Sequence, residues 1–369
     1  MSAALRVTYR LQLASGESAA RRALRLAHEQ TVELPPEAVP PGAEALLARV
    51  EAVENLGPGE ALATLAFDPE TAGADLAGLL VLLFGNVSLE CGVRLEEISW
   101  PGDLLARFAG PRFGIDGLRA LCGVRTQRAL LCGVTKPLGL PSAELARRCG
   151  EIARGGADLI KDDHGIADPP TSPFAERVAR CQEAIATANA RTGGVCLYVP
   201  NLTGPAATLP QRLETLRALG CQAALVAPLP LGLETVRTLA AESGLALFAH
   251  PALAGAFFAP EHGIAPEVLL GDLFRIAGCD AVIYPHQGGR FPFPAASSAA
   301  LREHLRRPLG ALRPAFAVPG GGIEPARVPG FLAETGSDTI FLVGSHLYLA
   351  PDLFRATADL AAAVRGGTA

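Results

Sequence analysis

Two stretches, Ala129-Leu-Leu-Cys-Gly-Val-Thr135 and Ala157-Asp-Leu-Ile-Lys161-Asp-Asp163, decide how this chain folds. Each is an apolar run of strand length, and the amphipathic segment Ala143–Ala153 between them has the period of a helix. Strands that are apolar on both faces belong to parallel sheets covered by helices. The same unit recurs further along the chain. Strands are expected at Val195–Asn201, Gln222–Leu229, Leu245–Pro251, Ala281–His286, Ala315–Gly320 and Asp338–Gly344, with helices at Pro173–Ala190, Gln211–Leu219, Pro266–Ala277 and Asp352–Val364. Eight strand–helix repeats match a parallel (β/α)8 TIM barrel. An open doubly wound sheet is the alternative, since no sequence pattern proves closure.

The first hundred or so residues have a different rhythm. Val7–Leu13 alternates like a strand, Gly16–Glu29 is a helix, and Leu47–Val53 and Ala61–Asp68 are further strands. Ala74–Phe84 is a second helix and Val93–Trp100 a last strand, with Pro-rich Val32–Pro41 as a loop. We expect a small α+β, ferredoxin-like domain over 1–105 and the catalytic barrel over 106–369.

Composition narrows the classes of function. The chain has 369 residues, 49% hydrophobic, and a net charge of −5, which leaves no basic footprint for nucleic acid or anionic membrane. Its N-terminus lacks the uninterrupted apolar core of a signal peptide. The most apolar run, Leu79–Phe84, is too short to span a bilayer. The eight cysteines contain no C-x-x-C pair and read as buried free thiols of a cytoplasmic protein.

Only two lysines occur, Lys136 and Lys161, against 30 arginines. A lysine kept in such a background suits what a guanidinium cannot do: lose a proton, attack a carbonyl, or take up CO2. Both follow expected strands. Two leftover surface lysines are the plainer explanation, but strand-end placement favours a site. Active sites of parallel barrels gather at the C-terminal strand ends. Those positions carry Lys136, Lys161 with Asp162, Asp163 and His164, then Asn201, His250, His286, Gly320–Gly322 and Gly344–Ser345. Strand alternation puts Lys161 and Asp163 on one side, where they converge.

These residues carry a family resemblance. Gly155-Gly-Ala-Asp-Leu-Ile-Lys161-Asp-Asp-His164 resembles the RuBisCO large-chain signature, whose lysine is carbamylated by CO2 and binds Mg2+ with the acidic residues after it. Gly133-Val-Thr-Lys136-Pro resembles the segment whose lysine moves the substrate proton. Leu197-Tyr-Val-Pro-Asn201 and Leu247-Phe-Ala-His250 resemble strands ending in an active-site Asn and a catalytic His. His28-Glu29-Gln30-Thr31 and Gly85-Asn86-Val87 resemble N-terminal segments lent to the site by a partner subunit. Pro319-Gly-Gly-Gly322 and Val343-Gly-Ser345 resemble two phosphate-binding turns. The resemblance implies a homodimer with shared sites and a phosphorylated small-molecule substrate. The metal would be held by Lys161 as carbamate, Asp163 and His164. Catalytic roles would fall to Lys136, His250, His286, Asn201, Glu29 and Asn86, and substrate binding to Arg290, Gly320, Gly321, Gly322, Gly344 and Ser345.

Four departures shape the function. No lysine follows Lys161, so the loop lysine that handles CO2 in the carboxylase is missing, and Pro285-His-Gln-Gly-Gly-Arg290-Phe stands there. Pro251 replaces the arginine for a second phosphate, and Leu138 follows Pro137 where the family has a second lysine. His164 replaces a third metal-binding carboxylate. Imidazole is a poor Mg2+ ligand and suits Mn2+ better. The metal either has one ligand fewer, uses His164, or meets it as an acid/base; a structural histidine in a metal-free site is the remaining option. Together these departures resemble a non-carboxylating RuBisCO-like protein. Decarboxylation or C–C cleavage of a 3-oxo sugar-acid phosphate is expected first, as in the 3-oxo-isoapionate 4-phosphate decarboxylase and transcarboxylase group, with Arg290 gripping the substrate carboxylate. The alternative is an enolase or isomerase of methionine-salvage type. A metal-free Schiff-base aldolase and a non-catalytic barrel are further options.

Overall fold

The N-terminal sheet is built by β1 (Leu5–Gln12), β2 (Arg49–Gly57), β3 (Glu60–Phe67) and β4 (Val93–Ser99) in the order β4-β1-β3-β2. Its pairs are antiparallel. With the helices Ala19–Glu29 and Leu76–Phe84 on the crossovers, this is the expected ferredoxin-like arrangement. The computed structural model describes residues 3–291 and 293–366. The expected domain limits at 1 and 369 lie outside the described residues. Helix Ala19–Glu29 begins where the Ser18 side chain accepts from the Arg21 N–H, and Ala19, Ala23, Leu26 and Ala27 bury one stripe.

The second sheet has eight strands. They are β5 (Leu130–Thr135), β6 (Leu159–Asp162), β7 (Leu197–Val199), β8 (Ala223–Val226) and β9 (Ala246–Ala249), then, after the short β10 (Gly263–Ile264), β11 (Ala281–Pro285), β12 (Phe316–Gly320) and β13 (Ile340–Val343). Neighbours pair in parallel, β13 on β5. The remaining gap closes where the Leu202 N–H donates to Leu225 O and the Leu225 N–H to Pro200 O. The barrel is therefore closed, and the open-sheet alternative falls. All eight expected strands form, each at or inside the predicted limits.

Strand alternation sorts side chains between two cores. Leu130, Cys132, Leu159, Leu197, Val199, Phe248, Ala281, Ile283 and Phe316 fill the barrel interior. Leu131, Ile160, Tyr198, Ala249, Val282 and Tyr284 face the helix layer outside. The helix Gly114–Leu121 plugs the bottom with Ile115 and Leu118. Asp280 pins that plug, its Oδ1 accepting from the Phe113 and Gly114 N–H groups at 2.7 and 2.8 Å and its Oδ2 from Leu247 N–H at 3.0 Å.

Two features differ from expectation. The segment expected as a helix over Pro266–Ala277 is wound as a π-helix over Glu267–Leu273 and an α-turn after it. Within it Asp272 is fully buried and takes the Trp100 indole N–H, Arg307 and His304, tying β4 to the barrel. The short β10, absent from the sequence-based strands, adds in parallel to β4. Seven cysteines are buried free thiols and Cys91 is exposed. Among the described residues no helix is long and apolar enough to cross a membrane.

Candidate active site

Alternation along β6 sends Leu159, Lys161 and Asp163 inward and Ile160 and Asp162 outward. Lys161 is 2% exposed, and its Nζ donates to the Asp162 carbonyl at 2.7 Å. Burial lowers its pKa against the opposing pull of Asp163, which eases loss of a proton from this amine. Asp162 belongs to the scaffold. Its carboxylate accepts from Tyr198 Oη at 2.6 Å, Arg177 Nε at 3.1 Å and the Asn201 N–H at 3.0 Å, all fully enclosed. Arg177 also donates to Ser172 O and Ala167 O, fixing the loop that leaves β6. Removing one partner of such a buried pair costs about 3–5 kcal/mol.

Asp163 stands at the rim between Lys136 and His164. Lys136 Nζ lies 3.2 Å from Oδ2, and His164 Nδ1 lies 3.3 Å from Oδ1. Burial alone would raise this carboxyl, but the His164 hydrogen bond and the Lys161 and Lys136 charges outweigh it and hold it well below the usual range. His164 is half exposed, and its ring stacks on His250 with centroids 4.1 Å apart. His250 is pushed down to about 2 by burial and the nearby positive charges of Lys161 and His164. It is neutral at physiological pH, and its Nδ1 is buried without a partner.

Lys136 is held through its backbone. Its N–H donates to Tyr348 Oη at 3.0 Å, Tyr348 Oη donates to Val134 O, and Arg148 donates to Lys136 O. A Cβ on Gly344 would lie 3.4 Å from Lys136 Cε, so the turn after β13 reaches the lysine. A cleft of about 870 Å3 lies on the barrel flank beside helix Ser142–Arg154 and meets this group at Lys136, Arg148, Ser345 and Tyr348.

The other sequence-derived residues divide. Arg290 is exposed, its guanidinium over the Phe291 ring. The loop bearing it packs backbone to backbone on the turn after β12: a Cβ on Gly321 would sit 2.9 Å from Gly289 Cα, and one on Gly322 2.2 Å from Gly288 O. Both turn residues have positive φ, 108° and 68°, so glycine is required twice over. Glu29 and Asn86 hydrogen-bond to each other at 2.9 Å on the N-terminal domain, exposed.

Asn201 and His286 do not stand as the sequence suggested. Asn201 Nδ2 donates to His164 O and its Oδ1 accepts from Thr203 N–H, so its amide is spent on the backbone of the His164 loop. His286 continues the outward phase of Val282 and Tyr284 and packs edge-on to Phe331, centroids 4.6 Å apart, in the helix layer. Sequence reasoning also missed Tyr198, Arg177 and Tyr348. Arg177 left one signal: it lies on the apolar stripe of its helix with Phe174, Val178, Cys181 and Ile185, where an arginine needs a buried carboxylate.

Among the described residues no three His, Cys, Asp or Glu side chains gather as a metal site. The third donor would have to come from Lys161 after CO2 uptake. Asp163 Oδ1 and His164 Nδ1, 3.3 Å apart near a buried, deprotonation-prone amine, fit that set once an ion replaces the hydrogen bond between them, and the one imidazole suits a divalent ion softer than Mg2+.

Comparison with known proteins gives the family and the fold. Residues 114–289 match the family described as ribulose bisphosphate carboxylase large chain, catalytic domain. The 5-methylthioribulose-1-phosphate isomerase of Rhodospirillum rubrum is 40% identical over 99% of this chain and 97% of its own. The 2,3-diketo-5-methylthiopentyl-1-phosphate enolase of Geobacillus kaustophilus is 32% identical over 86% of this chain and 82% of its own. The crystal structure of a Rubisco-like protein from Rhodopseudomonas palustris superposes with a TM-score of 0.91 at 38% identity, covering 100% of this chain and 99% of that one.

Proposed function

This chain belongs to the RuBisCO large-chain family, among its RuBisCO-like proteins, and on that premise we propose that it is an isomerase moving a proton next to the carbonyl of a phosphorylated ketose. The observation that carries the proposal is the Lys136–Asp163 pair, 3.2 Å apart at the C-terminal rim beside buried Lys161. The substrate class follows the Rhodospirillum rubrum relative, which shares nearly the full length. The relatives named above are an isomerase and an enolase, so this alternative replaces the decarboxylation first expected.

Isomerisation needs one group that removes a proton and returns it to the neighbouring carbon. Lys136 does this from its amine, which stands 3.2 Å from the Asp163 carboxylate. Neutral His250 hydrogen-bonds a substrate oxygen without adding charge to the site. The N–H groups of the Gly320–Gly322 and Gly344–Ser345 turns, with Arg290, bind the phosphate. Asn201 acts indirectly, by holding His164. Lys161 as carbamate, Asp163 and His164 would hold a divalent ion, Mg2+ or Mn2+. When bound, that ion polarises the substrate carbonyl and lowers the barrier to proton loss. Glu29 and Asn86 complete the site of the other copy in a homodimer.

The test is turnover of 5-methylthioribulose 1-phosphate in D2O, followed by NMR. Isomerised product with deuterium at the carbon beside the carbonyl is expected. The enolase reading is favoured by the Geobacillus kaustophilus relative. Turnover of the diketo phosphate alone would establish it instead.

A further inference from the structure

We propose that Glu334 and His286 form a latch that fixes the Arg290 loop against the Gly320–Gly322 turn, making them positioning residues for the phosphorylated substrate. The proposal rests on the assignment of Arg290 and the glycine turns to substrate binding.

After β11 the chain reverses at His286–Gly289. The Gly289 N–H donates to His286 O at 2.8 Å, and the Gly288 N–H donates to His286 Nδ1 at 3.2 Å. Because Nδ1 accepts, the ring proton is on Nε2. That nitrogen is enclosed without a hydrogen-bond partner, and the acceptor facing it is Glu334 Oε2 at 3.9 Å. The same Oε2 accepts from Gln287 Nε2 at 3.0 Å, and Oε1 accepts from Arg302 Nη1 at 3.1 Å. One carboxylate on helix Val328–Thr335 thus holds the loop's residue 287, faces 286, and is anchored by helix Ala295–Arg306.

The contact continues into the neighbouring turn. Arg327 Nη1 donates to Gly322 O at 2.8 Å while its guanidinium lies over Phe331, the ring that His286 meets edge-on. Gly288 and Gly289 supply no side chain to hold themselves, so the path of Arg290 depends on residues 286 and 287 and hence on Glu334. The charged groups facing His286 are Glu334, Arg302 and Arg327, and burial, the largest influence, keeps its pKa below the ordinary value. The neutral ring is what the turn needs. A proton on Nδ1 would set one N–H against the Gly288 N–H.

The test uses two measurements on the full chain: amide hydrogen exchange of the 286–291 segment by mass spectrometry, and KM for 5-methylthioribulose 1-phosphate. Glu334→Ala removes the latch, and His286→Phe keeps the ring against Phe331 while deleting the acceptor. His286→Asn keeps an acceptor in place, and Glu334→Gln keeps one of the two acceptor oxygens. Losing the Glu334 contact should speed loop exchange and raise KM about tenfold or more, with kcat changed much less. The Asn variant should fall near wild type in both, and the Gln variant between wild type and Glu334→Ala. Arg290→Ala should raise KM without changing exchange of the loop. Unchanged exchange in Glu334→Ala overturns the latch. Faster exchange with unchanged KM, while Arg290→Ala does raise KM, overturns its role in positioning. If Arg290→Ala leaves KM unchanged, the assignment of Arg290 fails and the positioning claim falls with it, whatever the loop exchange shows.

Discussion

His164 and His250 stack face to face, ring centroids 4.1 Å apart and planes 12° from parallel. One ring is half exposed on the loop after β6, and the other is mostly buried at the end of β9. The stack therefore joins the rim that would hold a metal to the interior group proposed to meet substrate. Two imidazolium rings at this spacing would repel, so the neutrality that burial imposes on His250 also permits the stack. An offset or stacked ring pair contributes about 0.5–1.5 kcal/mol beyond the area it buries, enough to set the direction of His164 Nδ1 towards Asp163.

Lys161→Met should remove CO2-dependent activity and leave the fold intact. Methionine fills a similar volume and removes a charge-bearing group from a position 2% exposed, so thermal stability should be unchanged or higher. Loss of a carbamate donor should lower turnover at least about 100-fold. Carbon NMR with 13CO2 gives an independent readout: a carbamate signal in the wild type, absent from the variant. An equal signal in both would place the carbamate elsewhere.

Lys136→Met should stop proton transfer while sparing phosphate binding, because its Nζ pairs with Asp163 and not with a glycine turn. Turnover should fall by roughly 10²–10⁴ as for loss of a general base. Affinity for inorganic phosphate, measured by calorimetry, should stay within about threefold, a change of under about 0.7 kcal/mol. A parallel loss of both would make Lys136 a phosphate contact.

Stability should carry the signature of Asp280. Burial pushes its pKa from 3.8 up to about 6, against the three N–H groups that pull it down. The folded value lies above the unfolded one. Its contribution is therefore fully present below about pH 4 and is lost as pH rises through about 6, by roughly 3 kcal/mol. The unfolding free energy of the wild type minus that of Asp280→Asn should fall by that amount across that window. A difference flat from pH 4 to 7 would mean the carboxylate bonds fully compensate for burial.

The barrel was legible because its strands are apolar on both faces: Leu130, Leu131, Ile160 and Val282 all need burial, wherever the strand turns. That same uniformity hid the phase. In Ala281-Val-Ile-Tyr-Pro-His286 every position is apolar until the last, so nothing in the segment says that Ile283 faces the interior and His286 the helix layer. Lys161 and Asp163 share a side because they lie two residues apart in one short strand-end run, where alternation can be read directly. Asn201 was located but not understood, since its partner is the backbone of His164, which no side-chain pattern reports. The π-helix over Glu267–Leu273 carries buried Asp272, whose partner Trp100 lies 172 residues away in the chain.

His164→Glu should tighten metal binding and slow the reaction. In the wild type His164 Nδ1 converges with Asp163 Oδ1 at 3.3 Å, so a longer carboxylate at 164 can reach the same position. It would convert a donor set of two oxygens and one nitrogen into three oxygens, which a hard ion prefers. Magnesium affinity, measured by calorimetry in bicarbonate buffer, should rise about tenfold, and preference for Mn2+ over Mg2+ should fall. The added negative charge would weaken the ion as a Lewis acid, so kcat should drop even at saturating metal. The substitution also deletes the stack on His250, and His164→Phe separates that effect by keeping a ring without a ligand atom. If His164→Glu leaves Mg2+ affinity and metal preference unchanged while His164→Phe behaves like wild type, His164 is not a ligand and its carboxylate-replacing position is structural.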